Sequence, residues 1–350
     1  MPEIMPTWPP WAFTQDSSWG IVVLSFLRSA YDRSGSMSTL SYYRQCLRDF
    51  FSDPAKMPDE YSRDDVERFI HSPGRGRGRE GQPVAAGTIN DRLSCLTSFY
   101  AYAAGYTIAD TDNVIRPVLR VTPPTLGIRQ VKRPRAYHML SVDEVERFFK
   151  AIPRDTEQGL KYYALFTCYL FSARRRAELL HLRWRDLEKT TITESNGQAR
   201  ELWTYCWYGK GRARIQDRAE MPGPAIAAIL HYLEFSGRLQ DMQPDHAIFT
   251  ADTTHIGRGG YDPTRPLSPQ AALDAVKKYA RLAGIDETKM TIHAWRHVSA
   301  RERYAAGSSI REIQQLLRHQ SLQTTSLYLE TLTPITDPGA VLLEKRFGNL

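Results

Sequence analysis

His293-Ala294-Trp295-Arg296-His297 and, twenty residues after Arg296, Leu316-Leu317-Arg318-His319-Gln320-Ser321-Leu322-Gln323-Thr324-Thr325-Ser326-Leu327-Tyr328 decide the reading of this chain. His293 and His297 stand four residues apart, which on a helix places both on one face beside Arg296. Two histidines at that spacing can also frame a zinc site, but the metalloprotease form needs a Glu between them, and this chain has Ala294. No metal site is therefore expected. Arg is the side chain whose planar fork grips two oxygens of one anion at once. Tyr328 is one of eighteen tyrosines and would ordinarily be packing; its fixed distance from His319, with Thr324 and Thr325 between, singles it out.

Two earlier stretches add cations. Ser172-Ala173-Arg174-Arg175-Arg176-Ala177-Glu178-Leu179 is followed by Leu182-Arg183-Trp184-Arg185-Asp186-Leu187. Three consecutive arginines taken alone read as a solvated basic face. Further on, Trp203-Thr204-Tyr205-Cys206-Trp207 is aromatic and β-branched, so it reads as a strand. Gly209-Lys210-Gly211 makes the turn, and the opposing strand runs from Arg214 to Met221. A lone Gly-Lys-Gly equally reads as a turn and nothing more.

Together these stretches resemble the tyrosine recombinase (phage integrase) family. Its His-x-Leu-Arg-His is matched with Trp295 in place of Leu, an apolar exchange at a buried position. Its Leu-Leu-Gly-His, four residues, Thr-Thr-x-x-Tyr is matched through Tyr328, with Arg318 in place of Gly, so the turn before His319 has to accept a side chain. Its Thr-Gly-Leu-Arg-x-x-Glu-Leu, then Leu-Arg-x-x-Asp, is matched by the arginine cluster. Counting back three from Glu178 assigns the family Arg to Arg175, with Arg174 and Arg176 as competitors. Lys210 matches the lysine of the family's hairpin turn, although the stretch Arg214 to Pro222 is longer than the usual Arg-x-Ile/Val-Pro return.

The resemblance implies a site-specific recombinase or integrase that cuts and rejoins DNA through a 3′-phosphotyrosine on Tyr328. Arg175 and Arg296 would grip the non-bridging oxygens of the scissile phosphate. A free Tyr has a pKa of ~10, so Tyr328 needs a cationic pocket and a base, the role implied for His293. His319 would hydrogen-bond the phosphate, and Lys210 would protonate the departing 5′ oxygen. No cofactor is implied, neither ATP nor a divalent metal. The implied partners are a double-stranded DNA recombination site, a homotetramer on DNA (monomer or dimer off it) and an accessory directionality protein. Two alternatives stand beside this reading: strand breakage like that of a type IB topoisomerase or telomere resolvase, and a catalytically silent DNA-binding accessory protein.

Composition agrees with a polyanionic partner without demanding one. The 350 residues carry a formal charge of +7 with a pI near 9.2. Cys46, Cys95, Cys168 and Cys206 lack CxxC spacing and read as reduced thiols. The N-terminus has no signal-peptide pattern, and no apolar run reaches the ~18 residues of a membrane span. A cytoplasmic, nucleoid-associated protein is expected.

The expected fold class is mainly α with a small antiparallel β-sheet, arranged as a two-domain DNA clamp. An N-terminal helical, SAM-like core-binding domain precedes the catalytic domain. Residues 1–18, with four prolines, read as an extended arm, shorter than the separate arm-binding domain of large phage integrases. Residues 19–112 form the helical domain. Ile89, Leu93, Leu96 and Tyr100 make one apolar helical stripe, Leu40, Tyr43, Leu47 and Phe51 another, and Ser62 caps a third helix. Gly74-Arg75-Gly76-Arg77-Gly78-Arg79 cannot hold a helix; Arg75, Arg77 and Arg79 either contact phosphates or decorate a solvated loop.

Residues 113–136, rich in proline, read as an interdomain linker whose Arg129, Lys132, Arg133 and Arg135 could follow a DNA backbone. The catalytic domain spans 137–330, opening on a capping box at Ser141 and Glu144 with Leu140 and Val145 as its hydrophobic staple. Helices are expected at Gly159–Phe171, Ala225–Phe235, Pro269–Ala283 and Val298–Ala306. Residues 331–350 form a tail helix opening at Asp337-Pro338, docking either on the same chain or on a neighbouring subunit.

Overall fold

The computed structural model describes residues 18–73, 83–109, 114–131, 140–193, 197–208, 216–251, 261–288, 290–319, 321–323, 325–326 and 329. Two compact units divide near residue 134. Each is helical around its own core, and the β-strands among the described residues form two small antiparallel sheets.

The first unit holds α1 (Ser18–Ser34), α2 (Met37–Phe50), α3 (Arg63–His71) and α4 (Ala86–Gly105). Ile89, Leu93, Leu96 and Tyr100 are all buried, as their spacing demands. Phe99 of α4 meets Phe26 edge-on at 5.5 Å and Phe51 at 5.3 Å, the arrangement aromatic quadrupoles favour. Ser62 caps α3 by accepting from the Asp65 amide, and Asp65 returns the bond to the Ser62 amide at 2.8 Å.

Residues 114–131 are packed onto this unit rather than extended as a linker. β1 (Thr107–Ala109) pairs with β2 (Ile115–Pro117), and Val118 and Leu119 enter the first core. The side-chain amide of Asn90, itself buried on α4, both donates to and accepts from the Val131 backbone at 2.8 Å. The prolines that mark this stretch forbid helix, but they do not forbid burial of the apolar residues between them.

The second unit contains α5 (Val142–Lys150), α6 (Glu157–Ser172), α7 (Arg176–Leu180), α8 (Gly223–Phe235), α9 (Pro269–Leu282), α10 (Ile292–Ala305) and α11 (Ile310–Leu317). Ser141 and Glu144 form their capping box, and Leu140 is fully buried with Val145 packed nearby. The sheet has three strands, one more than the hairpin read from sequence: β3 (Leu187–Thr193), β4 (Ala199–Tyr208) and β5 (Gln216–Glu220), in that order. β3 lies at an edge with six of its seven side chains partly or fully exposed, so it carries no apolar alternation to announce it.

α6 is buried along most of its length and packs against α8 and α10. α10 begins at Ile292, six residues before the expected Val298, so the His-x-x-Arg-His stretch lies inside it. The reason is packing: Ile292, Trp295 and Val298 recur at helical spacing and all three are buried in the second core. Trp295 is fully buried, with ring centroids 4.6 Å from Phe148 and 6.1 Å from Phe166.

Candidate active site

Arg296 is buried on the second turn of α10. Its Nη1 donates to the Ala173 carbonyl at 2.6 Å, and its Nη2 donates to the Leu317 carbonyl. Ala173 caps the C-terminus of α6, and Leu317 is the last residue of α11. The cation therefore closes onto the carbonyl ends of two helices, where unpaired acceptors and the helix dipoles concentrate negative charge. Those bonds offset the cost of taking a guanidinium out of water.

Two residues beyond Ala173 stands Arg175, and two residues beyond Leu317 stands His319. One side chain thus ties together the two loops that sequence marks as functional. Arg175 is half-buried; its amide donates to Glu178 Oε2 at 2.8 Å and its Nη1 to Oε1 at 3.0 Å. The competing arginines are placed differently. Arg174 is buried, donates from Nη2 to the Leu316 carbonyl at 2.8 Å, and lies over the Trp207 ring at 4.2 Å. Arg176 is exposed, and its carbonyl accepts from the buried Tyr169 hydroxyl at 3.0 Å.

The histidines respond to these cations. Desolvation, then the charges of Arg296 and Arg175, lower the His319 pKa to about 4. Desolvation, then Arg296, Arg175 and Arg176, also lower that of His293, although the ring keeps solvent contact. Arg175 is the member of the triplet whose charge reaches both rings. His297 lies on the inward side of α10, where burial, His293 and Arg296 lower its pKa to about 4. The two histidines of the His-x-x-x-His spacing, 6.1 Å apart at their ring centroids, therefore divide between surface and core. His293 and His319, both held neutral near pH 7, beside the two cations Arg175 and Arg296 make a setting suited to an anion whose oxygens need neutralising while a proton acceptor stays available.

His319 is fixed from both ends. Its Nδ1 lies 3.0 Å from the hydroxyl of Thr325, which is fully buried, and its carbonyl accepts from Gln314 Nε2 at 3.1 Å. Thr325 bonds His319 and Glu178 bonds Arg175, and in the sequence both stand out only as spacing marks. The signal available for Glu178 was its position three residues beyond Arg175, the distance at which a carboxylate reaches back to a helix start.

Lys210 and Tyr328 lie outside the described residues, as do Arg75, Arg77, Arg79, Lys132, Arg133, Arg135 and the tail from 331. Arg129 is exposed in the segment packed on the first unit. Among the described residues no helix is long and apolar enough to cross a membrane, and no group of three or more His, Cys, Asp or Glu could hold a metal ion.

Comparison with known proteins places the chain in a family. Tyrosine recombinase XerD of Caulobacter vibrioides is 27% identical over 321 residues, covering 90% of this chain and 92% of the relative. Tyrosine recombinase XerC 2 of Ralstonia nicotianae is 27% identical over 272 residues, covering 77% and 69%. Among solved structures, a lambda integrase dimer bound to a COC′ core site superposes with a TM-score of 0.56 at 15% identity, covering 91% of this chain and 97% of that one. The Tn1549 transposon integrase in complex with transposon right-end DNA gives 0.53 at 16% identity, covering 93% and 99%. Residues 138–333, more than half of the chain, match the model of the phage integrase family. The chain belongs to the phage integrase family and is a site-specific tyrosine recombinase.

Proposed function

We propose that this recombinase cuts DNA through a 3′-phosphotyrosine on Tyr328, with Arg175, Lys210, His293, Arg296 and His319 as its other catalytic residues. The observation that carries this reading is the pair of bonds from Arg296 to the Ala173 and Leu317 carbonyls, which gather Arg175 and His319 around one buried cation. In the cutting step the Tyr328 oxygen attacks phosphorus and its proton passes to the neutral His293 imidazole. The bond from phosphorus to the 5′ oxygen breaks, and Lys210 gives that oxygen a proton. Arg175 and Arg296 neutralise the charge that grows on the non-bridging oxygens. A Thr325 hydroxyl donating to His319 Nδ1 leaves the Nε2 hydrogen to bond the same phosphate.

Attack by a 5′ hydroxyl of another strand reverses these steps and joins the new partners. The phosphotyrosine conserves the bond energy, so the cycle needs neither ATP nor a divalent metal. The protein acts as a homotetramer closed on its DNA site, with each two-domain chain clamping the duplex and an accessory protein setting direction. Arg75, Arg77, Arg79, Arg129, Lys132, Arg133 and Arg135 contact phosphates, and the protein resides on the nucleoid.

Covalent capture tests this directly. The protein is incubated in EDTA with pooled nicked duplexes from its own genomic neighbourhood, and adducts resistant to SDS are collected beside a Tyr328→Phe control. Adducts that vanish in the control are expected, and they also report the target sequence. Adducts that persist in Tyr328→Phe, or that require an added metal, would overturn the reading.

A further inference from the structure

Arg318 occupies the turn before His319 with a left-handed backbone, φ 51°, at the position where the resembled pattern has Gly. That conformation is unfavourable for any residue with a Cβ, yet the side chain reaches a different element. Its Nη1 donates to Asp217 Oδ1 at 2.7 Å, and its guanidinium carbon lies 5.4 Å from the centre of the Trp207 ring. The Asp217 side chain keeps 13% of its surface exposed and the Arg318 side chain 38%, so the pair is partly withdrawn from water.

Trp207 and Asp217 face each other across β4 and β5, with only the Tyr208 and Gln216 rung beyond them. Residues 209–215 then join the strands, and Lys210 is three residues past Trp207 in the sequence. The same Trp207 ring carries Arg174, the neighbour of Arg175, at 4.2 Å, and Arg174 also donates to the Leu316 carbonyl. One rung of the hairpin is thus held by the sequence neighbours of Arg175 and of His319. An exposed ion pair adds little to stability; held in a fixed geometry beside a reacting centre, it sets position.

We propose that the Arg318–Asp217 ion pair, seated against Trp207, is a positioning link that holds the β4–β5 hairpin in register with the His319 turn so that Lys210 reaches the departing 5′ oxygen. Arg318 and Asp217 act through Lys210, and the link rests on the role given to Lys210 above.

The test uses the duplex recovered by covalent capture, made in two forms. In one the scissile bond leaves through the natural 5′ oxygen; in the other a bridging sulfur replaces that oxygen. A thiolate leaves without being protonated, because its pKa lies far below that of an alcohol. Adduct formation is timed for wild type, Asp217→Asn, Arg318→Gly and Lys210→Ala, with DNA affinity measured alongside. Arg318→Gly relieves the backbone and so guards against a variant that merely misfolds. Both link variants should cut the oxygen form about tenfold slower than wild type and the sulfur form at the wild-type rate, with unchanged affinity. Link variants equally slow on both forms, or unimpaired on the oxygen form, would overturn the link while a sulfur-rescued Lys210→Ala leaves the role of Lys210 standing. A Lys210→Ala protein equally slow on both forms would overturn that role, and the link with it.

Discussion

Ala173 and Arg318 share one backbone conformation, φ 53° and 51°, and they are the two non-glycine residues with positive φ among the described residues. They also end the two helices, α6 and α11, that Arg296 joins. The coincidence has a physical reason. A left-handed residue at a helix end turns the chain sharply away and leaves the last carbonyls open to an outside donor. Both turns then lead to a candidate site residue, Arg175 or His319, within two residues.

The turn at Ala173 leaves no room for a larger residue. Ala173 is fully buried against Ala300, Ile313 and Leu317. Replacing it by Gly trades about 1 kcal/mol of relieved backbone strain against a lost buried methyl of about 0.8 kcal/mol, so the stability change should be small. Ala173→Val adds β-branching in a left-handed position and should cost about 2–4 kcal/mol. Urea unfolding of the two variants checks this; a Val protein as stable as wild type would contradict the packing described.

Arg296 cannot be replaced by Lys. An ammonium has no planar fork with which to span the Ala173 and Leu317 carbonyls. Arg296→Lys should lose about 1–3 kcal/mol of stability and reduce adduct formation at least ~100-fold. Retention of both would mean that the bridge between the helices is dispensable.

The three consecutive arginines should separate by phenotype. Arg174→Ala removes a buried guanidinium bonded to the Leu316 carbonyl and stacked on Trp207, and should cost about 2–3 kcal/mol of stability. Arg175→Ala should leave stability within about 1 kcal/mol, since its ion pair with Glu178 is partly solvated, and should abolish adduct formation. Arg176→Ala should change little. Thermal melts and covalent capture on the three proteins make the comparison, and an Arg174 variant that is stable yet inactive would shift the catalytic assignment by one residue.

Acid should destabilise the catalytic unit. His297 and His319 have pKa values near 4 in the fold against an ordinary 6.5. The folded state keeps both neutral, so as the pH falls the unfolded chain takes up their protons first. Above 6.5 neither ring contributes to the pH dependence. Between 6.5 and about 4 stability is lost, by about 2 kcal/mol at pH 5 for the buried His297; below 4 the loss levels off. Unfolding free energies at pH 7.5 and pH 5 should differ accordingly, and the difference should shrink in His297→Asn. Equal pH dependence in the two proteins would remove His297 as its source.

The sequence by itself determined the helical character of both units and singled out the candidate site residues. Apolar residues at helical spacing bury themselves wherever the chain folds, as Ile89, Leu93, Leu96 and Tyr100 do. Capping at Ser62 and Ser141 is decided within four residues. Motif spacing likewise singled out Arg175, His293, Arg296 and His319. Other features depended on partners distant in the chain. β3 has no alternation of its own and exists because β4 lies beside it. Val118 and Leu119 are core because α4 offers them a face, in a stretch that locally reads as a proline-rich connector. Arg174 and Arg175 have the same chemistry in sequence; only the placement of Trp207 and the Leu316 carbonyl buries one and leaves the other beside the histidines. Local periodicity and motif spacing fix what each segment is, whereas burial and charge are properties of the assembled neighbourhood, and tertiary packing alone decides them.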